Sequence, residues 1–256
     1  MPKDLAPCLW LLKLGALVNL YFLARTLALP SGQLDPHIVV PAQIFFVVSA
    51  WRCLFPNRYE GNVVLHATPL SSTFVTRTLA TFAELAWIYQ VSRVIRVFDL
   101  ERVGWVELLS WLMIVQIVVS QLCVWGAILT DRVWLYFCEE LGWLVIFVLS
   151  SIASAYLLAT VEGLGHGRTL LWLNLGFAAV YLPWQVVNLW ALRKRVRGAR
   201  VTPRSLASGA RRALFEYRPA TDAESWGGFL GLSWMAGYWA TLVPLWLSRV
   251  VDLAGK

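Results

Sequence analysis

The chain has 256 residues, 59% hydrophobic and 14% charged, with a formal net charge of +7. Soluble domains carry about 45–50% apolar and about 25% charged residues, so a water-solvated globular fold is excluded for most of the chain. The positive balance does not indicate nucleic acid, because the excess gathers between two apolar runs, at Arg193, Lys194, Arg195, Arg197, Arg200, Arg204, Arg211, Arg212 and Arg218.

Apolar runs predict helices over 6–29, 38–56, 72–97, 104–129, 133–160, 169–192 and 226–250. Each is near the ~20 residues that cross about 30 Å of hydrocarbon at 1.5 Å per residue. The expected fold is all-α, a polytopic integral membrane bundle of about seven transmembrane helices, with residues 1–256 forming a single transmembrane domain. Turn signals separate the runs: Pro30-Ser31-Gly32, Pro56-Asn57-Arg58, Asp131-Arg132 and the glycine-rich 163–167. Only 57–71, the charged turn 99–102 and the basic 193–225 are connections of any length.

In the first helix Lys13, Asn19 and Arg25 interrupt the apolar run, so it reads as a retained helix rather than a signal peptide, with Lys13 snorkelling. The third carries the strongest constellation. Arg77, Thr81 and Glu84 stand at i, i+4 and i+7 and share one face. A charge near the bilayer centre costs at least ~2.5–3.5 kcal/mol, so this stripe is expected to face protein or water. Arg93, Arg96 and Glu107 lie near the opposite interface, where long side chains snorkel.

The fifth helix carries Glu139 and Glu140 side by side. Neighbours on a helix point about 100° apart, so one faces the interior and the other an adjacent helix. Trp143 lies beside both, and Phe147 with Ser150 or Ser151 extends the same side. If helices three and five are neighbours, Arg77, roughly 8 Å into its span, shares a level with the glutamates at roughly 10 Å. Arg77 is then expected to pair with one of them, leaving Glu84 less compensated. Two carboxylates in such different surroundings supply a proton donor and a proton acceptor from one side-chain type. The competing reading is a structural ion-pair network that locks helices together.

Asn19, Gln43, Gln90, Gln116, Gln121, Asn174, Gln185 and Asn188 exceed what lipid-facing helices need, so several are expected to line a shared polar cavity. Pro183, within Leu182-Pro183-Trp184-Gln185, and Pro244 should kink helices six and seven and free carbonyls. Gly227-Gly228, Gly231 and Gly237 permit close helix approach. Among the 15 tryptophans, Trp10, Trp51, Trp105, Trp134, Trp190, Trp226 and Trp246 fall near span ends as interfacial anchors. Trp87, Trp143, Trp184, Trp234 and Trp239 lie deeper, as packing or cavity lining.

The basic 193–225 segment reads as a cytoplasmic loop that sets topology, with the N-terminus on the same side. It holds an expected interfacial helix at 206–217 and an anionic-lipid contact through 193–218. Cys8, Cys53, Cys123 and Cys138 have no C-x-x-C spacing, and His37, His66 and His166 fall in connections or at span ends, so neither metal nor haem is expected and no cofactor is implied. The last helix lacks the lysine of a retinal protein. P-loop, G-x-S-x-G, H-E-x-x-H and glycine-rich filter motifs are absent.

The expected function is a membrane-embedded enzyme acting on a lipidic or isoprenoid-like substrate by carboxylate acid–base chemistry, of isomerase, cyclase or transferase type. Glu84, Glu139, Glu140 and Arg77 are the candidate catalytic residues. Trp87, Trp143, Thr81, Gln185 and Trp184 are the candidate substrate contacts. Expected partners are membrane lipids and a hydrophobic small molecule, with no nucleic acid. The alternatives are a proton-linked transporter or channel, and a structural subunit of a larger membrane complex or oligomer.

Overall fold

The apolar runs fold into helices close to their expected bounds. The computed structural model describes residues 3–29, 35–162, 165, 167–198 and 204–254. The turn at Pro30-Ser31-Gly32, most of 163–167, His166 and Arg200 lie outside them. In chain order come α1 (Ala6–Leu27), α2 (Pro36–Leu54), α3 (Thr73–Phe98), α4 (Gly104–Thr130), α5 (Val133–Thr160) and α6 (Gly167–Gly198). A short helix α7 (Leu206–Phe215) follows, then α8 (Gly228–Trp234), a π-helical stretch (Met235–Thr241) and α9 (Leu242–Ala254), which run on as one final segment. Among the described residues five helices, α1, α2, α4, α5 and α6, are long and apolar enough to cross a membrane by length and composition. α3 is as long, but it carries Arg77, Glu84, Arg93 and Arg96 and is wrapped by α2, α4 and α5.

Local chemistry sets the ends. The Asp35 carboxylate accepts from His37 N (2.9 Å) at the start of α2. Ser72 caps α3, and Asp131, with φ 58°, closes α4 in the left-handed region. α6 continues past residue 192 into the basic stretch, where Arg195 and Arg197 in its last turn suit the negative end of the helix dipole. The final segment begins at the left-handed turn of Gly227 and Gly228, at φ 96° and 59°. Three residues before Pro244 the chain is π-helical; Pro244 has no N–H for the turn before it, and the wider winding bonds Leu242 N to Gly237 O.

α1 to α6 pack as successive neighbours, and the final segment returns against α1, α2 and α6 to close the bundle. Asn19 Nδ2 donates to Trp239 O (3.0 Å) across the α1 seam. At the end bearing the basic segment, three two-residue strands form a cap. β1 (Asn57–Arg58) pairs antiparallel with β2 (Val63–Val64), which pairs parallel with β3 (Arg218–Pro219). α7 lies on the ends of α3 and α4, and Arg204 (2.6 Å) and Arg212 both meet Asp131.

The bundle centre is an aromatic layer. Trp87 meets Tyr238 edge-on at 5.2 Å, Phe147 meets Tyr181 at 4.6 Å, and Phe45 stacks on Trp239 at 5.6 Å. Large apolar side chains also cover the outside, among them Trp10, Leu17, Val115, Leu122 and Val180. An apolar exterior on long apolar helices is the surface of a protein solvated by lipid.

Candidate functional site

A cavity of about 220 Å³, walled by charged and aromatic side chains, lies between the aromatic layer and the strand cap. Its walls come from corresponding ends of alternating helices: the C-terminal turns of α2 and α6 and the N-terminal turns of α3, α5 and the final segment. α3 therefore offers Arg77 and Glu84, α5 offers Glu139, Glu140 and Trp143, and α6 offers Trp184, Asn188 and Arg195. α2 adds Arg52, and β1 with its following turn adds Asn57, Arg58 and Tyr59. Helices three and five are neighbours, as the sequence argument requires.

The expected charge pairing holds only in part: Arg77 forms a long ion pair with Glu139, but its hydrogen bonds go to Glu84. Arg77 does not leave Glu84 less compensated; it grips it, with Nη2–Oε2 at 2.5 Å and Nη1–Oε1 at 3.4 Å. Gln121 of α4 joins them, accepting from Arg77 Nη2 and donating Nε2 to Glu84 Oε2 at 2.9 Å. Glu139 Oε1 is 3.8 Å from Arg77 Nη1, beyond hydrogen-bond reach. The reason is helical geometry, because a residue seven positions on lies on the same face and two turns away, within range of an arginine laid along its own helix. All three groups are buried, with Arg77 at 1%, Glu84 at 5% and Glu139 at 7% exposure.

The adjacent glutamates diverge as the helix angle demands. Glu139 faces α3, while Glu140 faces α6, where Gln185 Nε2 donates to its Oε2 (2.7 Å) and its backbone oxygen (2.6 Å). Among the described residues no side chain donates a hydrogen bond to the Glu139 carboxylate.

Tyr59 stands between two guanidinium groups, with Arg52 4.9 Å and Arg77 5.3 Å from its ring centroid. Burial pushes its phenol above the ordinary range, against the pull of the two arginines. It therefore keeps its proton and offers a donor at the cavity wall. Arg52 donates Nη2 to Asn57 O (3.1 Å) and to Met235 Sδ (3.8 Å), and lies 5.2 Å from the Trp239 ring.

Arg77, Glu84, Glu139, Glu140, Trp143 and Trp184 thus meet in one cavity. Trp87, Thr81 and Gln185 do not line it. Trp87 belongs to the aromatic layer, Thr81 accepts from Trp125 Nε1 (3.0 Å) toward α4, and Gln185 supports Glu140 from behind. Arg52, Tyr59 and Trp226 were not anticipated there. Trp226, expected as an interfacial anchor, is fully buried, because the left-handed Gly227-Gly228 turn folds it inward. Arg52 stands near the end of the 38–56 run, where an arginine ordinarily reaches the interface, so it carried little signal.

Beside the cavity runs a second space, an apolar groove of about 650 Å³ between α6 and the final segment. Trp184 and Trp234 border both spaces and stack on each other, with centroids 5.1 Å apart and planes 12° from parallel. Among the described residues no His, Cys, Asp and Glu side chains group in the way a bound metal ion requires. Compared with protein-family models, with curated proteins and with solved structures, the chain matches none.

Proposed function

We propose that the chain is a membrane-embedded enzyme that acts on a lipidic substrate by carboxylate acid–base chemistry, of isomerase, cyclase or transferase type. Glu139 is the proton-transferring group. The observation that carries this reading is the unequal treatment of the cavity's carboxylates. Glu84 is held by Arg77 and Gln121, and Glu140 by Gln185, whereas the Glu139 carboxylate has no hydrogen-bond donor among the described residues. A carboxyl group left open on a cavity wall is positioned to exchange a proton with a bound molecule. Arg77 and Glu84 form the fixed charge behind it, and Trp143 and Trp184 offer aromatic faces to an apolar substrate or a developing cation.

Proton-linked transport is supported less well. The aromatic layer packs against the inner end of the cavity, where a water path would have to continue. A purely structural subunit has no need of a cavity with ionisable walls. The orientation we propose places the N-terminus and the basic segment in the cytoplasm, so the cavity lies toward that side, beneath the strand cap, and the arginines near α7 meet anionic headgroups.

The test is the lipid profile, by mass spectrometry, of cells producing the wild type, Glu139→Gln, or Glu107→Gln at the far end of the bundle. The species altered by the wild type should be altered by Glu107→Gln and unaltered by Glu139→Gln, with all three proteins monodisperse. A Glu139→Gln profile equal to the wild-type profile would sink the proposal.

A further inference from the structure

Among the described residues, Arg52 is a buried cation without a paired anion. It is 3% exposed, and its Nε and Nη1 donors are buried without an acceptor. Among the described residues no carboxylate lies within ion-pair distance of it. Its one bonded nitrogen meets a carbonyl oxygen and a thioether, and two aromatic rings face its guanidinium. Such contacts offset only part of the cost of removing a full charge from water, which a hydrogen-bonded counter-charge normally offsets. Arg77 Nε is likewise buried and unbonded. Arg58 and Arg195 border the same cavity.

Open N–H donors on a planar fork suit an anion with several acceptor oxygens, and phosphate has that geometry. The cavity's size limits what else enters. At about 220 Å³ it falls below the ~300–1,000 Å³ of pockets that hold whole small-molecule ligands, so it fits a headgroup and not a chain. Space for a chain lies next door, in the groove of about 650 Å³ lined by Phe177, Val180, Leu242 and Leu245. The two spaces meet at the stacked Trp184 and Trp234.

We infer that the site takes a phosphate-bearing membrane lipid, its headgroup on Arg52 in the cavity and its chain in the groove between α6 and the final segment, crossing at Trp184 and Trp234. This rests on reading the cavity as the site of a lipidic substrate, and it names the class of that substrate. The neutralised Arg77–Glu84 pair leaves Arg52 as the charge that selects the anion, and Glu139 lines the same cavity.

Native mass spectrometry of the full chain in neutral detergent, titrated separately with dodecyl phosphate, dodecanol and inorganic phosphate, tests it. Dodecyl phosphate should bind the wild type at least about tenfold more tightly than either of the others. Arg52→Met should weaken dodecyl phosphate by more than about tenfold and leave dodecanol unchanged. Gly176 borders the groove with nothing within 4 Å of where its Cβ would stand, so Gly176→Trp should fill the groove without disturbing the core. It should weaken dodecyl phosphate and leave inorganic phosphate unchanged.

Dodecanol binding as tightly as dodecyl phosphate would overturn the headgroup assignment. Inorganic phosphate binding as tightly as dodecyl phosphate would overturn the lipid in favour of a free anion. If Arg52→Met does not fold, Arg52→Lys, which keeps the charge and loses the fork, takes its place together with Gly176→Trp; wild-type binding by both overturns the inference. Glu139→Gln should retain dodecyl phosphate. Failed binding with the lipid profile still dependent on Glu139 removes this inference alone, and intact binding with a profile indifferent to Glu139 removes the acid–base reading alone.

Discussion

Arg77 and Glu84 stand two turns apart on α3, and the arginine lies along its own helix so that Nη2 meets Glu84 Oε2 at 2.5 Å. Gln121 bridges the pair from α4, so one network fixes the charges of α3 and fastens the helix to its neighbour. Arg77 and Glu84 are thus tied to α4, whereas the Glu139 carboxylate has no hydrogen-bond donor among the described residues.

Breaking that pair from one side should be costly. A buried ion left without its partner destabilises by ~3–5 kcal/mol, while replacing both partners with apolar groups is often neutral. Arg77→Met and Glu84→Leu should each lower the unfolding free energy in mixed micelles by several times the loss in the double variant. Losses that simply add would show that the two side chains are not coupled.

The helices and the presence of charges among them were legible in the sequence because lipid solvation leaves a long, low-polarity record. The stripe on α3 and the adjacent glutamates of α5 stood out for the same reason, as did the short helix after α6. The pairing was less legible. Depth along a span placed Arg77 level with Glu139 and Glu140, but depth says nothing of a side chain folded along its own helix toward Glu84. Arg52 and Trp226 fall at the ends of predicted spans, where arginine and tryptophan ordinarily reach the interface, so their burial depends on the strand cap and on the Gly227-Gly228 turn. Two-residue strands have no period to read.

Gly15 and Gly176 should respond oppositely to a side chain. A Cβ on Gly15 would stand 2.5 Å from Ala240 Cβ and 2.8 Å from its Cα, so Gly15→Val should push α1 from the π-helical stretch. Overpacking of this kind costs ~1–3 kcal/mol. Gly176 has open space around its Cβ position, and Gly176→Ala should gain up to about 1 kcal/mol from helix propensity. Thermal unfolding of both variants in the same detergent checks the contrast, and equal shifts would contradict the close approach of α1.

Asp35, which caps α2, supplies a pH dependence with a definite sign. Burial opposes its ionisation, but hydrogen bonds from Arg93 and His37 N, with the Arg93 charge, hold its carboxyl below the usual carboxylate range. The Arg93 contact is 2.9 Å and both side chains are partly exposed. Its contribution is therefore present above the unfolded-state pKa of about 3.9 and is lost as pH falls through the lower folded value. Solvent screening limits it to at most about 1 kcal/mol. Asp35→Asn should melt slightly below the wild type at pH 7 and together with it in strong acid. A gap that widened in acid would reverse the assignment.

The stacked Trp184 and Trp234 border both the cavity and the groove. Aromatic pairs of this kind contribute ~0.5–1.5 kcal/mol beyond their buried area, and Trp234 also packs on Tyr238 at 4.6 Å, so the partition is held but not locked. A ligand occupying both spaces has to pass it. Trp234→Ala removes one leaf while leaving Arg52 and the groove wall on α6 in place. Dodecyl phosphate should then associate and dissociate faster, with its equilibrium affinity changed much less than either rate. Trp234→Phe, which keeps an aromatic face, should fall between this variant and the wild type. Exchange rates unchanged in Trp234→Ala would mean that the lipid enters elsewhere, and that the indole pair is a wall and not a gate.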